Sequence, residues 1–134
     1  MSHHRETVTA TGAPEAIGPY SHAIVSRGFV YCSGQIPLDP SSGDLVEGGP
    51  AEQATRCLEN LAEVCQAAGA SFADAVRLTV YCTDLEGAWS EVNEAYGEFF
   101  DALGGDPPAR LAVGVAALPK GAQVEIEAVV ALPE

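Results

Sequence analysis

Gln123-Val124-Glu125-Ile126-Glu127-Ala128-Val129-Val130-Ala131, close to the C-terminal end, opens with strict alternation of apolar and acidic residues. Successive side chains of a strand point to opposite faces of a sheet, so Val124, Ile126, Ala128 and Val130 share one face and Glu125 and Glu127 the other. Such a strand has one face against a core, and two upstream segments carry the pattern of helices that would cover it. From Ala51 to Ala68, the residues Ala54, Cys57, Leu58, Leu61, Cys65 and Ala68 recur at three- and four-residue steps, with Glu52, Arg56, Glu59, Glu63 and Gln66 opposite and Gly69 as the stop. A second helix is capped by Asp84, buries Leu85, Trp89, Val92, Tyr96, Phe99 and Leu103 along one stripe, and stops at Gly104-Gly105.

The rest of the chain reads as strands and turns. A short opening strand lies near Thr7 to Ala10, and a hairpin joins His22–Ser26 to Phe29–Ser33 through Arg27-Gly28. The stretch from Pro37 to Pro50, rich in Pro, Ser and Gly, reads as an exposed loop, and Ala75 to Cys82 as a strand. Two further strands, Arg110–Val115 and Gln123–Ala131, are joined through Leu118-Pro119-Lys120-Gly121. With no internal repeat or linker, residues 1–134 read as a single α+β domain whose first ten residues are a tail and the short first strand. If the last two strands pair, Leu111, Val113 and Val115 face the helices, while Arg110, Ala112 and Gly114 share the bare face with the two glutamates. That face also carries Val129 and Ala131, and is expected to be covered by other subunits, with Arg110 and Glu125 at an interface.

Composition narrows the function. A chain of 134 residues, 47% hydrophobic, buries a core without disulfide or metal support. Nineteen acidic residues against six basic ones give a net charge of −13, and the scattered basic residues form no stripe, which argues against nucleic acid as a partner. Cys32, Cys57, Cys65 and Cys82 form no CxxC pair and have no histidine at metal-ligand spacing, so buried, reduced thiols are expected. The N-terminal residues lack an apolar leader core and no stretch is long enough to span a bilayer, which points to a cytoplasmic protein. His3 and His4 are assigned no role.

Several residues carry two readings. Arg110 facing a carboxylate is either a structural ion pair or a binding fork for a substrate carboxylate, whose two oxygens a planar guanidinium matches. Tyr20, in the rigid turn Ile17-Gly18-Pro19-Tyr20, either plugs the core edge or serves a ligand. Ser33-Gly34-Gln35 is an ordinary turn or a corner where backbone amides meet a ligand. Asn93 lies on the polar side of its helix, and His22 is more simply a satisfied histidine than a catalyst. No Ser-His-Asp triad, phosphate loop or metal cluster appears in the sequence.

Six stretches in order resemble the Rid family, also called YjgF or L-PSP-like proteins: IGPYSHA (Ile17–Ala23), YCSGQIPLDP (Tyr31–Pro40), AGASFADAVRLTVYCTDL (Ala68–Leu85), VNEAYGEFF (Val92–Phe100), PPAR (Pro107–Arg110) and VEIEA (Val124–Ala128). The resemblance implies a homotrimer of chorismate-mutase-like α+β subunits, a mixed sheet with two helices on one face, and sites in the inter-subunit clefts. It also implies hydrolysis of 2-imino acids, such as the tautomer of 2-aminoacrylate, to 2-keto acids and ammonia without a cofactor. Carried over, Arg110 matches the arginine that holds the substrate carboxylate and Glu125 the glutamate near the attacking water. Tyr20, Ser33, Gly34 and Asn93 match residues lining the cleft. Many deaminase members have Ser and Cys after the arginine; Leu111 and Ala112 stand there instead, which makes the pocket near Ala112 more apolar and roomier. Two other functions attach to the family resemblance: an endoribonuclease or translation inhibitor, which the net charge opposes, and a non-catalytic sensor of small carboxylates.

Overall fold

The computed structural model describes residues 4–134, so His3 lies outside the described residues. The strands are β1 (Glu6–Val8), β2 (Ala23–Ser26), β3 (Phe29–Gln35), β4 (Ala75–Cys82), β5 (Ala109–Gly114) and β6 (Val124–Ala131), and the helices α1 (Pro50–Ala67) and α2 (Leu85–Leu103). They form one sheet in the order β1-β2-β3-β6-β4-β5, antiparallel except for the β4-β5 pair that α2 connects. The C-terminal strand therefore sits in the middle of the sheet. Its alternation is realised in full: Val124, Ile126, Ala128 and Val130 are buried under the helices and Glu125 and Glu127 face the open side. Leu58 and Leu61 from α1, Leu78 from β4 and Ile126 from β6 are wholly buried there, each side chain contributing about 1.5–3 kcal/mol of transfer free energy.

The helix signals act as expected. Glu52 accepts from the Gly49 N–H at 2.8 Å to cap α1, and Asp84 accepts from the Gly87 N–H at 3.1 Å to cap α2. The Arg27-Gly28 hairpin turn has positive φ at both residues, 52° and 86°, the requirement of a two-residue turn whose twist matches its strands. All four cysteines are buried and free. Among the described residues, no helix is long and apolar enough to cross a membrane.

Four expectations need correction. The first strand is Glu6–Val8 rather than Thr7–Ala10, because its partners Val25, Ile24 and Ala23 set the register. The stretch from Pro37 to Pro50 is not wholly exposed: Leu38 bridges to Leu45 and is buried with Ile36 and Ala122 in a satellite core. Wholly buried Asn60 of α1 anchors it, donating to the Leu38 carbonyl at 3.0 Å and the Ile36 carbonyl at 3.4 Å. In α2 the fully buried line is Ala88, Val92, Tyr96 and Phe100, while Leu103 is 39% exposed beyond the sheet edge.

The largest correction concerns β5, which pairs with β4 and not with β6. Leu78, Val80 and Cys82 lie in register with Arg110, Ala112 and Gly114. Partners in register share a face, and those three β4 residues are buried under the helices. Arg110, Ala112 and Gly114 thus face α2, whereas Leu111, 54% exposed, and Val113 face the open side with Glu125 and Glu127. An edge strand explains the inversion: its helix-side positions overhang the core, so they need not be apolar, and alternation alone does not reveal the pairing partner.

Candidate functional site

The pairing of β5 with β4 puts Arg110 on the helix side of the sheet, whereas Glu125 of β6 lies on the open side. On the helix side, stiff Pro107-Pro108 leads into β5, and the Arg110 side chain lies across α2. Its guanidinium carbon is 4.9 Å from the centroid of the Trp89 ring and 4.8 Å from that of Tyr96. Arg110 Nη1 donates to Asn93 Oδ1 at 2.8 Å. Residues 89, 93 and 96 fall on one helical face, so three side chains of α2 orient a single cation. Each cation–π contact contributes about 0.5–1 kcal/mol at an exposed site. Among the described residues no carboxylate pairs with Arg110, and its head borders an open cavity of about 440 Å³ lined also by Asn93, Tyr96, Gly97 and Pro108. The ion-pair reading of Arg110 therefore fails within the chain, and donors remain for an incoming anion.

Tyr96 was expected only as core. It is buried, its hydroxyl has no partner among the described residues, and burial pushes its pKa up to about 12 against the opposing pull of Arg110. Trp89 and Tyr96 are thus the residues that sequence reasoning missed as part of the site. The available signal was an aromatic pair seven residues apart around Asn93, ambiguous because aromatic residues at that spacing usually face a core.

On the open face, Tyr20, Ser33, Gly34 and Glu125 line a second recess of about 250 Å³ with Ile17. The register between β3 and β6 shifts between Cys32 and Gln35, a bulge that pushes Ser33-Gly34 out of the ladder. Ser33 Oγ donates to the Ser21 carbonyl at 2.6 Å. Gly34 leaves room for the Glu125 carboxylate: a Cβ there would meet it and force it to move. Tyr20 does not plug the core, being 43% exposed, and its hydroxyl accepts from the Ile17 N–H at 3.2 Å. Buried His22 fixes the loop behind it: Nδ1 accepts from the Ala10 N–H at 2.9 Å, and Nε2 donates to the Pro14 carbonyl at 2.8 Å. Burial, and secondarily the Glu127 charge, raise the Glu125 carboxyl above its ordinary value, the direction that suits a group exchanging protons during a reaction.

The structure thus brings Tyr20, Ser33, Gly34 and Glu125 together, and Arg110 with Asn93, but it does not bring the two sets together. Ala112 lines neither cavity; it lies in an open apolar recess with Leu85, Glu86 and Trp89, the last of which also carries the Arg110 guanidinium.

The sequence model of the family described as endoribonuclease L-PSP matches residues 10–132. A human protein named 2-iminobutanoate/2-iminopropanoate deaminase is 47% identical over 125 residues, 93% of this chain and 88% of that protein. Among solved structures, YyfA from Yersinia pestis, described as of the conserved Rid protein family, superposes with a TM-score of 0.89 at 41% identity, covering 96% of this chain and 99% of that one. E. coli TdcF, solved with bound serine, gives a TM-score of 0.90 at 38% identity over 96% of this chain and 99% of that chain. The α+β arrangement of a mixed sheet with two helices is the one these structures share. With a matching family model over nearly the whole chain and relatives this similar, the chain belongs to the Rid family of YjgF and L-PSP-type proteins.

Proposed function

We propose that this protein is a cofactor-independent imine deaminase that hydrolyses 2-imino acids to 2-keto acids and ammonia, and that its active site forms where the Arg110 face of one subunit meets the Glu125 face of the next in a homotrimer. The observation that carries this reading is a guanidinium held between two aromatic rings with no carboxylate partner, facing an open cavity. The relatives named as 2-iminobutanoate/2-iminopropanoate deaminases support the reaction, and serine in TdcF carries the same α-carboxylate that Arg110 would hold.

The chemistry asks little of the protein. A protonated 2-imino acid is already electrophilic at C2. Arg110 fixes the carboxylate with parallel N–H donors, which leaves C2 to be presented to a water. The Glu125 carboxylate orders that water and accepts a proton as the C–O bond forms. The proton then passes to nitrogen, the C–N bond breaks to expel ammonia, and the second proton of the water passes from the new carbonyl oxygen to that ammonia, which departs as ammonium. Tyr20, on an exposed turn, closes the pocket; Ser33, Gly34 and Asn93 shape its walls. Since Arg110 and Glu125 lie on opposite faces of one sheet, the reaction needs a neighbouring chain, and a purely monomeric active protein would contradict the proposal. Generating 2-aminoacrylate with a coupled dehydratase and following keto-acid release tests it: the wild type should accelerate release and Arg110→Ala should not. Ligand-induced thermal stabilisation without turnover would favour the sensor reading instead.

A further inference from the structure

We propose that the recess bounded by Leu85, Trp89 and Ala112 receives the substrate side chain, so that this protein prefers 2-imino acids with bulky apolar side chains over the methyl and ethyl side chains of 2-iminopropanoate and 2-iminobutanoate. The proposal rests on the imine-deaminase reading and names the substrate class of that site.

The recess measures about 470 Å³, within the usual range of small-molecule sites. It adjoins the carboxylate fork at Trp89, whose ring carries the Arg110 guanidinium and also forms one wall. Ala112 follows Arg110 by two residues on the same face of β5, about 7 Å along the strand. A carboxylate on Arg110 therefore leaves a gap toward Ala112 that a methyl group does not fill and an isobutyl or benzyl group does. Leu85 closes the far end, lying against the backbone of Gly114 so that a Cβ there would touch its own at 3.4 Å. The lining is almost wholly apolar; its only charged member, Glu86, is exposed at the rim and disfavours acidic side chains. Ala112 is the small member of the lining, and a larger residue at that position takes up part of the space.

The test compares kcat/KM for imines released in situ from alanine and from leucine by an amino-acid oxidase, with catalase present and semicarbazide trapping as the competing readout. The wild type should favour the leucine-derived imine, and Ala112→Leu should lower the leucine-to-alanine ratio by on the order of 10-fold. The wild-type ratio needs no variant, so a poorly folded Ala112→Leu does not rescue the idea. Turnover of the alanine-derived imine with a ratio at or below one overturns this proposal alone. So does a ratio that Ala112→Leu leaves in place, or a variant that changes particle size without changing the ratio, which would make the recess a subunit contact. No turnover of any imine overturns the deaminase reading and this proposal with it.

Discussion

Replacing Arg110 by alanine isolates the group proposed to hold the substrate carboxylate. The guanidinium is exposed and makes one side-chain hydrogen bond, to Asn93, and two ring contacts. Losing them costs fold stability about 1–2 kcal/mol at most, because Asn93 is exposed and can turn to water. The effect on catalysis is larger. Each hydrogen bond to a charged group is worth about 1.5–3 kcal/mol, and two parallel ones, allowing for non-additivity, about 3–4 kcal/mol. At 1.4 kcal/mol per decade, kcat/KM should fall by roughly two to three orders of magnitude. Arg110→Lys keeps the charge but not the planar fork, and should recover only part of the loss. The assay is keto-acid release from enzymatically generated 2-aminoacrylate, paired with thermal unfolding of each variant. An Arg110→Ala protein that stays folded and keeps kcat/KM within a factor of about three of wild type would refute the assignment.

Three further outcomes are expected. Glu125→Gln should abolish most of kcat while raising stability at neutral pH: a carboxyl whose folded pKa is raised contributes stability below its unfolded value and loses it as pH rises through the folded one, so the gain should vanish below about pH 4 in denaturation at several pH values. Gly34→Ala should remove activity far more than stability, since the added methyl meets the Glu125 carboxylate; a fully active Gly34→Ala would contradict that contact. Asn60→Leu should cost about 2–4 kcal/mol in urea unfolding by leaving the Ile36 and Leu38 carbonyls without their buried donor, and a loss below about 0.5 kcal/mol would count against the anchor.

Much of the fold was legible because burial imposes a period. Val124 to Val130 and the α1 stripe had to place their apolar residues on one side, and the caps at Asp84 and Gly69 are local chemistry. Pairing was less legible. Nothing in Arg110–Gly114 names β4 rather than β6 as its neighbour, and that choice inverted the facing of the whole strand. The same limit hid the site's architecture. Alternation put Arg110 and Glu125 on one face, whereas tertiary pairing places them on opposite faces of the sheet. Trp89 and Tyr96 escaped notice because a ring that supports a cation and a ring that fills a core share one spacing. Leu38 was hidden for a different reason: its loop has turn composition, and only the reach of Asn60 shows that the segment is held inside.

The central claim is that one active site takes its arginine and its glutamate from different chains. Arg110→Ala and Glu125→Gln, each inactive alone, should regain activity when denatured together in equal amounts and refolded. In a ring of three, every mixed trimer contains one site with both residues intact, so random assembly predicts roughly one quarter of wild-type activity. A mixture that assembles into hybrids and stays as inactive as its two parents would place both residues of each site on a single chain and contradict the account.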